Sequence, residues 1–420
     1  MDHMQTPVEE RQAAQTVPAL WRNVNFLLLW SGQTVSTLGT GISALALPLL
    51  ILALTHSPAL AGVLFAARQL PYLLFSLPAG VLVDRWDRKK TMIFCDLLRW
   101  LTLGSVPLAF VLGHLTLVQL YLVAFVEGTA YVLFSLAQIS ALPQVVEPAH
   151  LSRAYALDTA TEYTAELLGP SLSAFLIGLA PAMEIGAILA YLVDSISYLV
   201  SVCSLVGMRV SFQVDRPKDV APRRLSLEIV TGLRFLWGQR DLRLMALLTA
   251  FINFLTSPVS LALIVLAQGR LHLSVQWIGL ILSVGGIGGI LGSVVAPWLR
   301  ERLRCGQILF FSTIVWIAAF LLFALTPWLS LLLVGRFLIS FTYPVYGVTI
   351  VSYRLLLTPV DLQGRVNSAF RSLSYGSEPL GAALGGLLLG FLGAQAVFGL
   401  IAVGCVGCLL MIWGTGLRKV

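Results

Sequence analysis

Apolar stretches of twenty or so residues recur along almost the whole chain. That pattern leaves few folds open, because about 20 mostly apolar residues form a helix that crosses the hydrocarbon of a bilayer. Twelve such spans can be read: 25–53, 59–83, 92–113, 116–138, 154–178, 185–207, 243–268, 274–299, 307–325, 328–350, 366–390 and 394–416. Breakers separate them, among them His56-Ser57-Pro58, Gly113-His114, Ala180-Pro181 and Thr326-Pro327. Only 11% of the residues are charged, against about a quarter in a soluble domain. The apolar runs are continuous rather than alternating, which argues against a membrane barrel. An all-α membrane protein is expected.

The basic residues predict its orientation. Of 27 Lys and Arg, 22 fall in the two tails and in alternate loops; Arg270 alone lies in the opposite loops, and Arg68, Arg99, Arg336 and Arg371 lie within spans. Cytoplasmic loops gather Lys and Arg, so both termini are expected in the cytoplasm and the chain in the plasma or inner membrane. The net charge of +7 then reflects topology and implies no nucleic-acid partner. The polar residues 1–24 lead into a long apolar run, which reads as a retained span and not a cleaved signal. The five cysteines suggest no disulfide framework, and Cys405-x-x-Cys408 in an apolar helix reads as packing.

Segment 208–242 is the one long internal loop and holds Pro217, Pro222 and much of the basic charge. It separates a six-span block over 25–207 from a second over 243–416, with cytoplasmic tails at 1–24 and 417–420. Its later part, Leu225 to Trp237, has helical apolar spacing and is expected to lie at the inner membrane face. The two blocks repeat. A shift of 212 residues carries Arg153, Tyr163, Glu166, Gly169 and Gly178 onto Arg365, Tyr375, Glu378, Gly381 and Gly390; a shift of 217 carries Asp84-Arg85 onto Glu301-Arg302. Two pseudo-symmetric six-helix bundles follow from that repeat.

Between spans 2 and 3 stands a knot of charge, Gly80-Val-Leu-Val-Asp84-Arg85-Trp-Asp87-Arg88-Lys89-Lys90. It resembles the G-x-x-x-D-R-x-x-R-K loop of the major facilitator superfamily. The resemblance implies a major facilitator fold, a solute site between the halves at mid-membrane, and transport without covalent chemistry. It implies that Asp84 latches the inner gate, that Arg85, Arg88 and Lys89 tie it to neighbours and to anionic lipid headgroups, and that Gly80 lets span 2 pack on span 11. Asp87 stands where many members have glycine.

Further stretches resemble the macrolide-efflux and enterobactin-exporter branch of that superfamily: Trp21 to Gln33, Arg85-Trp-Asp-Arg88, Tyr191-Leu-Val-Asp194-Ser-Ile-Ser-Tyr198 and Gly232-Leu-Arg-Phe-Leu. The branch implies proton-driven efflux of drug, macrolide or siderophore-like amphipathic compounds by an antiporter of the multidrug-resistance kind. An uptake carrier or a lipid flippase of the same fold is the alternative. After Ser36-Thr-Leu-Gly39 many members carry an acid, whereas Thr40 stands here, which moves attention from span 1 to other carboxylates.

A charge inside a span costs roughly 2.5–3.5 kcal/mol near the bilayer centre, so it should face protein and mark function. Glu127 in span 4 and Arg336 in span 10 superpose on a shift of 209 residues. They are expected to face each other across the cavity, either coupling transport to protonation of Glu127 or holding one state. Glu166 and Glu378 lie at the centres of spans 5 and 11, with Arg68 in span 2 a partner for one of them; they are expected to carry protons, bind a cationic substrate or bond local hydroxyls. Asp96 and Arg99 read as a local pair and Asp194 as structural. Since spans 1, 4, 7 and 10 line the cavity of the family fold, Gln33, Ser36, Tyr131, Asn253, Thr256, Tyr343 and Tyr346 are expected to line it here. Gly285-Gly286-x-Gly288-Gly289-x-x-Gly292 reads as close helix packing. No Walker pattern occurs, so direct drive by ATP is not expected, nor any cofactor or metal. The expected partners are a small-molecule substrate, protons and membrane lipids, with the chain a monomer.

Overall fold

The computed structural model describes residues 20–209, 225–325, 328–359 and 362–415. Six helices make the first bundle: α1 (Val24–Thr55), α2 (Pro58–Arg85), α3 (Arg88–Val111), α4 (Leu117–Val145), α5 (Leu151–Leu179) and α6 (Met183–Gly207). Helix α7 (Leu225–Gly238) follows. The second bundle holds α8 (Arg240–Thr256), α9 (Val259–Gly269), α10 (Val275–Arg302), α11 (Cys305–Leu325), α12 (Leu329–Leu357), α13 (Gln363–Gly376) and α14 (Glu378–Gly414). Short polar side chains start several of them: Asn23, Ser57, Asp87 and Thr116 accept from the backbone N–H three residues on, satisfying donors that a first turn leaves free.

Among the described residues, ten helices or helix pairs are long and apolar enough to cross a membrane. Helix α5 is not among them, because Asp158, Glu162 and Glu166 put an acidic stripe along it. The stretch Gln363–Gly414 contains two crossings, reversed at Gly393, whose φ of 77° suits glycine. Adding α5 and that second crossing completes the twelve spans. Two spans are broken. Span 7 divides into α8 and α9 at Ser257-Pro258, and span 11 divides at Ser377, before Pro379; proline lacks the N–H that a continuous ladder requires.

Within the first bundle α1 packs on α5 and α6, α2 on α4, and α3 on α4 and α6; within the second α10 packs on α12, and α14 on α8 and α11. The bundles meet along two seams, α2 with α13 and α14, and α5 with α10. Small residues make the seams. Gly62 lies so close to Ala382 and Gly386 that a Cβ there would strike backbone. Helix α7 is present where helical spacing predicts it. It rests Gly232 on the backbone of Arg365 and leaves Val230, Leu233 and Trp237 exposed as an apolar stripe. Residues 1–19, 210–224 and 416–420, parts of the expected tails and linker, lie outside the described residues.

Because backbone meets backbone at Gly62, Gly62→Val should wedge the α2–α14 seam. Overpacking of this kind costs about 1–3 kcal/mol. The variant should insert normally, yet cysteine cross-linking between positions 59 and 390 should fall about tenfold in rate. Unchanged cross-linking would show that the seam does not depend on that contact.

Candidate functional site

The α5–α10 seam closes at one end only. On α5 and α10 the facing residues run Gly178–Gln276, Ala174–Gly279, Ser171–Ser283, Leu167–Gly286 and Tyr163–Gly289. Continued by helical steps, the α5 stripe reaches Ala160, Ala156 and Ser152, all exposed, and the α10 stripe reaches exposed Pro297. The helices therefore part toward the end that carries the α2–α3 loop. On the other seam Pro58, Ala59 and Gly62 meet Gly386 and Gly390, and contact continues through Tyr72–Tyr375 and Ser76–Ser372. Where α5 and α10 part, exposed Ala156, Ala160 and Glu162 mark a cavity between the bundles that opens from the charged-loop end.

Tyrosines and carboxylates line it. Tyr131 is 53% exposed and Tyr343 44%, and their neighbours belong to both bundles. Tyr131 lies within electrostatic reach of Tyr72, Glu162 and Arg371, and Tyr343 within that of Tyr163, Tyr375 and Glu378. The Tyr72 hydroxyl accepts from Arg371 Nε at 3.1 Å, and the Tyr72 and Tyr375 rings meet edge to face at 5.5 Å. Glu162 is exposed, makes no hydrogen bond among the described residues, and has Asp158 and Arg371 within electrostatic reach. Asp158 accepts from Gln138 at 3.2 Å.

Two carboxylates cross between the bundles at the closed end of this cavity. Glu166 Oε1 on α5 takes a 3.0 Å bond from Arg336 Nη2 on α12. Glu378 Oε2, in the first turn of α14, takes a 2.7 Å bond from Gln69 Nε2 on α2; the N-terminal end of a helix favours a negative charge there. Glu127 does not face Arg336. It holds Arg68 at both oxygens, each bond 2.8 Å, inside the first bundle, so Arg68 serves neither Glu166 nor Glu378. The difference follows from the repeat. A shift of 217 carries Arg68 onto Gly285, and the Arg336 guanidinium fills the space that glycine leaves: a Cβ on Gly285 would lie 2.7 Å from Nε. With no acid at the matching position of its own bundle, Arg336 takes Glu166 from the other.

Several of the expected cavity residues lie elsewhere. Gln33 donates to Ser201 at 3.0 Å and Ser36 to its own α1 backbone, both buried between α1 and α6. Asn253 donates to the Ser374 carbonyl at 3.0 Å, and Tyr346 bonds Thr249 at 3.0 Å beneath Trp316. Thr256, half-buried, bonds the Ile252 carbonyl. Polar groups away from water satisfy one another inside a bundle, which draws these side chains inward. Residues that the sequence reading did not assign to the site, Tyr72, Asp158, Glu162 and Arg371, line the cavity. The signal for the acids was present: Asp158, Glu162 and Glu166 fall at i, i+4 and i+8 on one face of span 5.

At the charged loop, Asp87 caps α3 by accepting from Lys90 N at 3.0 Å, which accounts for an acid at that position. Arg88 donates to the Ser140 carbonyl at 3.0 Å and Lys89 to the Met208 carbonyl at 2.6 Å, so both cations tie α3 to the ends of α4 and α6. The side chains of Asp84 and Arg85 and the surroundings of Gly80 lie outside what is described.

Known proteins resemble this chain along most of its length. A family model described as transmembrane secretion effector matches residues 16–377. The multidrug efflux pump Tap of Mycolicibacterium fortuitum is 26% identical over 385 residues, covering 89% of this chain and 90% of Tap. The enterobactin exporter EntS of Citrobacter koseri is 24% identical over 411 residues, covering 92% and 91%. Among solved structures, the nucleoside transporter NupG matches with a TM-score of 0.75 at 14% identity, over 93% of this chain and 98% of that one. A bacterial homologue of the iron transporter ferroportin, in an inward-facing state, matches with a TM-score of 0.75 at 16% identity, over 94% and 99%. These structures share the fold.

Removing one partner of a buried ion pair costs about 3–5 kcal/mol, because the other charge is stranded; the cost here should be smaller, since the Glu166 side chain is 38% exposed. Glu166→Gln alone should lower the thermal unfolding midpoint in detergent more than the double change Glu166→Gln with Arg336→Gln. Scanning fluorimetry reads both. Additive losses would mean that the two residues are not energetically coupled.

Proposed function

The chain belongs to the transmembrane secretion effector family of the major facilitator superfamily, whose members are transporters and not enzymes, and from that premise we propose that it exports small amphipathic compounds by alternating access, in exchange for protons. One observation carries the reading: the cavity between the bundles opens at the charged-loop end and is lined by tyrosines and an excess of acid. If the basic loops lie in the cytoplasm, as the distribution of Lys and Arg implies, this is the state that loads substrate from the cell interior. The names of the relatives, an efflux pump and an exporter, favour export over uptake. A lipid flippase would need a path for acyl chains along the whole length of a seam, whereas α2–α14 and α5–α10 are packed glycine against backbone at the closed end.

The acid excess narrows the substrate. Asp158, Glu162, Glu166 and Glu378 stand around the cavity against Arg336 and Arg371. Tyrosine faces attract cations, so Tyr72, Tyr131, Tyr343 and Tyr375 add to the same preference. The favoured solute is an amphipathic cation, with Glu162 as its counter-charge. Glu166–Arg336 and Glu378–Gln69 act as cross-bundle bonds that hold the far end shut and must break when the bundles rock. The protein works as a monomer in the cell membrane, with Arg88, Lys89 and the apolar stripe of α7 at the headgroups.

The test is a proteoliposome assay with an imposed pH gradient, an internal pH dye and tetraphenylphosphonium as solute. Cation movement should drive opposite proton movement. Glu162→Gln should raise KM about tenfold, an affinity loss of roughly 1.4 kcal/mol, with little change for an uncharged amphiphile. Solute flux with no proton flux would remove antiport; equal loss for charged and uncharged solutes would remove Glu162 as counter-charge.

A further inference from the structure

The first bundle encloses a second group of charges that the cavity does not use. Asp194 on α6 is fully buried, with 0% of its surface exposed. Its Oδ2 accepts from Ser43 Oγ on α1 at 2.5 Å, and its Oδ1 from Ser197 Oγ at a weak 3.4 Å. Both donors are neutral. The charged groups that face it from α2, α3 and α4 are already matched: Arg68 with Glu127, and Arg99 with Asp96 at 3.3 Å. The other groups around the site are neutral: Thr40 from α1, Cys95 from α3, and Tyr191 and Tyr198 from α6 itself.

The group therefore holds three acids, Asp96, Glu127 and Asp194, against two arginines, Arg68 and Arg99. One negative charge is in excess in a group whose Asp96 and Asp194 are fully buried, and an uncompensated buried charge costs several kcal/mol. One proton removes the excess. Glu127 and Asp96 each hold a guanidinium that would lose its counter-charge if they were neutralised. Asp194 holds only hydroxyls, and Ser43 Oγ also lies 3.1 Å from the Thr40 carbonyl, so it can donate there and accept the proton of a neutral Asp194 carboxyl, while Ser197 keeps its 2.7 Å bond to the Asp194 carbonyl of the backbone.

We propose that Asp194 is a proton-binding site of the transport cycle, holding one proton for the whole buried group. The inference rests on the antiport reading for its role in transport, though not for the existence of the site. A route for coupling is visible. The Tyr198 hydroxyl bonds Thr40 at 2.8 Å beside Asp194. The Arg99 guanidinium lies over the Tyr198 ring at 5.2 Å and over the Tyr131 ring at 5.7 Å, with its Nε and Nη2 buried and unpartnered among the described residues. Tyr131 is the cavity wall. A cation seated there repels Arg99 toward the acids, adds positive potential to the group, and so favours loss of the proton. Proton and cationic solute then exclude each other without touching.

Infrared spectroscopy of the purified full chain during a pH titration reads the site directly, through the C=O band of a protonated carboxyl. The wild type should show one buried band that disappears as pH rises. Asp194→Asn, close in size, should lack it, and Asp194→Glu should shift its frequency; Asp96→Asn and Glu378→Gln should retain it. In proteoliposomes Asp194→Asn should lose pH-driven accumulation of tetraphenylphosphonium at least tenfold while retaining solute exchange without a gradient. A band unchanged in both Asp194 variants would overturn the site, as would a wild type with no titrating band. A band that moves with Asp194 in a wild type indifferent to the pH gradient would keep the site and overturn the antiport reading instead. Should Asp194→Asn fail to fold, the Asp194→Glu shift alone decides.

Discussion

A guanidinium within a bilayer must find its counter-charge in protein, and the two bundles meet that demand differently. In the first bundle Arg68 and Glu127 neutralise each other over two short bonds. In the second the position matching Glu127 is Arg336 and the position matching Arg68 is Gly285. The second bundle thus carries a cation that nothing in its own pseudo-symmetric pocket can satisfy. Its acid, Glu166, comes from the other side of the seam. An ion pair inside one bundle is indifferent to how the bundles rock, whereas a pair between bundles has a different energy in each state. Loss of symmetry at this one pair of positions is what ties internal electrostatics to rigid-body motion.

The seams show why such motion is feasible. Without a hydrophobic drive between helices in lipid, association depends on close packing and hydrogen bonds. Gly62 on Gly386, Gly279 on Ala174 and Gly286 on Leu167 bring backbones together over the closed end. These are many weak contacts over rigid surfaces, with few polar bonds to break, among them Glu166–Arg336, Glu378–Gln69, Ser171–Ser283, Tyr72–Arg371 and Ser76–Ser372. The breaks at Ser257-Pro258 and Ser377 add places where spans 7 and 11 can bend beside the seam.

The fold was legible because the bilayer writes it in a coarse alphabet. Span number, the repeat and helix α7 followed from length and apolar spacing, which are insensitive to helix phase. Side-chain partners were not legible, because they depend on phase and tilt that composition leaves free. Glu127 and Arg336 were rightly equivalent by repeat, yet equivalence gives position and says nothing of partner; the pairing turned on Gly285, which has no side chain to notice. Gln33, Ser36 and Asn253 look like cavity residues by type, but an amide or hydroxyl in an apolar helix is drawn to the nearest carbonyl or hydroxyl inside its own bundle. Span 5 was the exception. Its acids at i, i+4 and i+8 could be placed on one face from spacing alone, and that face proved to be the cavity wall from Asp158 to Glu166.

The two charge groups on either side of Tyr131 are best understood together. The cavity holds an excess of acid in contact with water, where screening makes surplus charge tolerable and leaves Glu162 free to meet a solute. The buried group holds an excess of one acid where nothing screens it, so its surplus must be met by a proton. Between them stands Arg99, enclosed by the rings of Tyr131, Phe134 and Tyr198 at 5.1–5.7 Å. Arg99 has one 3.3 Å bond to Asp96, and its remaining contacts are aromatic faces, which hold a cation without fixing it as a second carboxylate bond would, so this guanidinium has a shallower well and room to respond to charge on either side. A rigid two-point pair such as Arg68–Glu127 could not transmit that influence. Coupling over such a short path needs no large displacement at the substrate site, only a change in potential that the enclosed acids register.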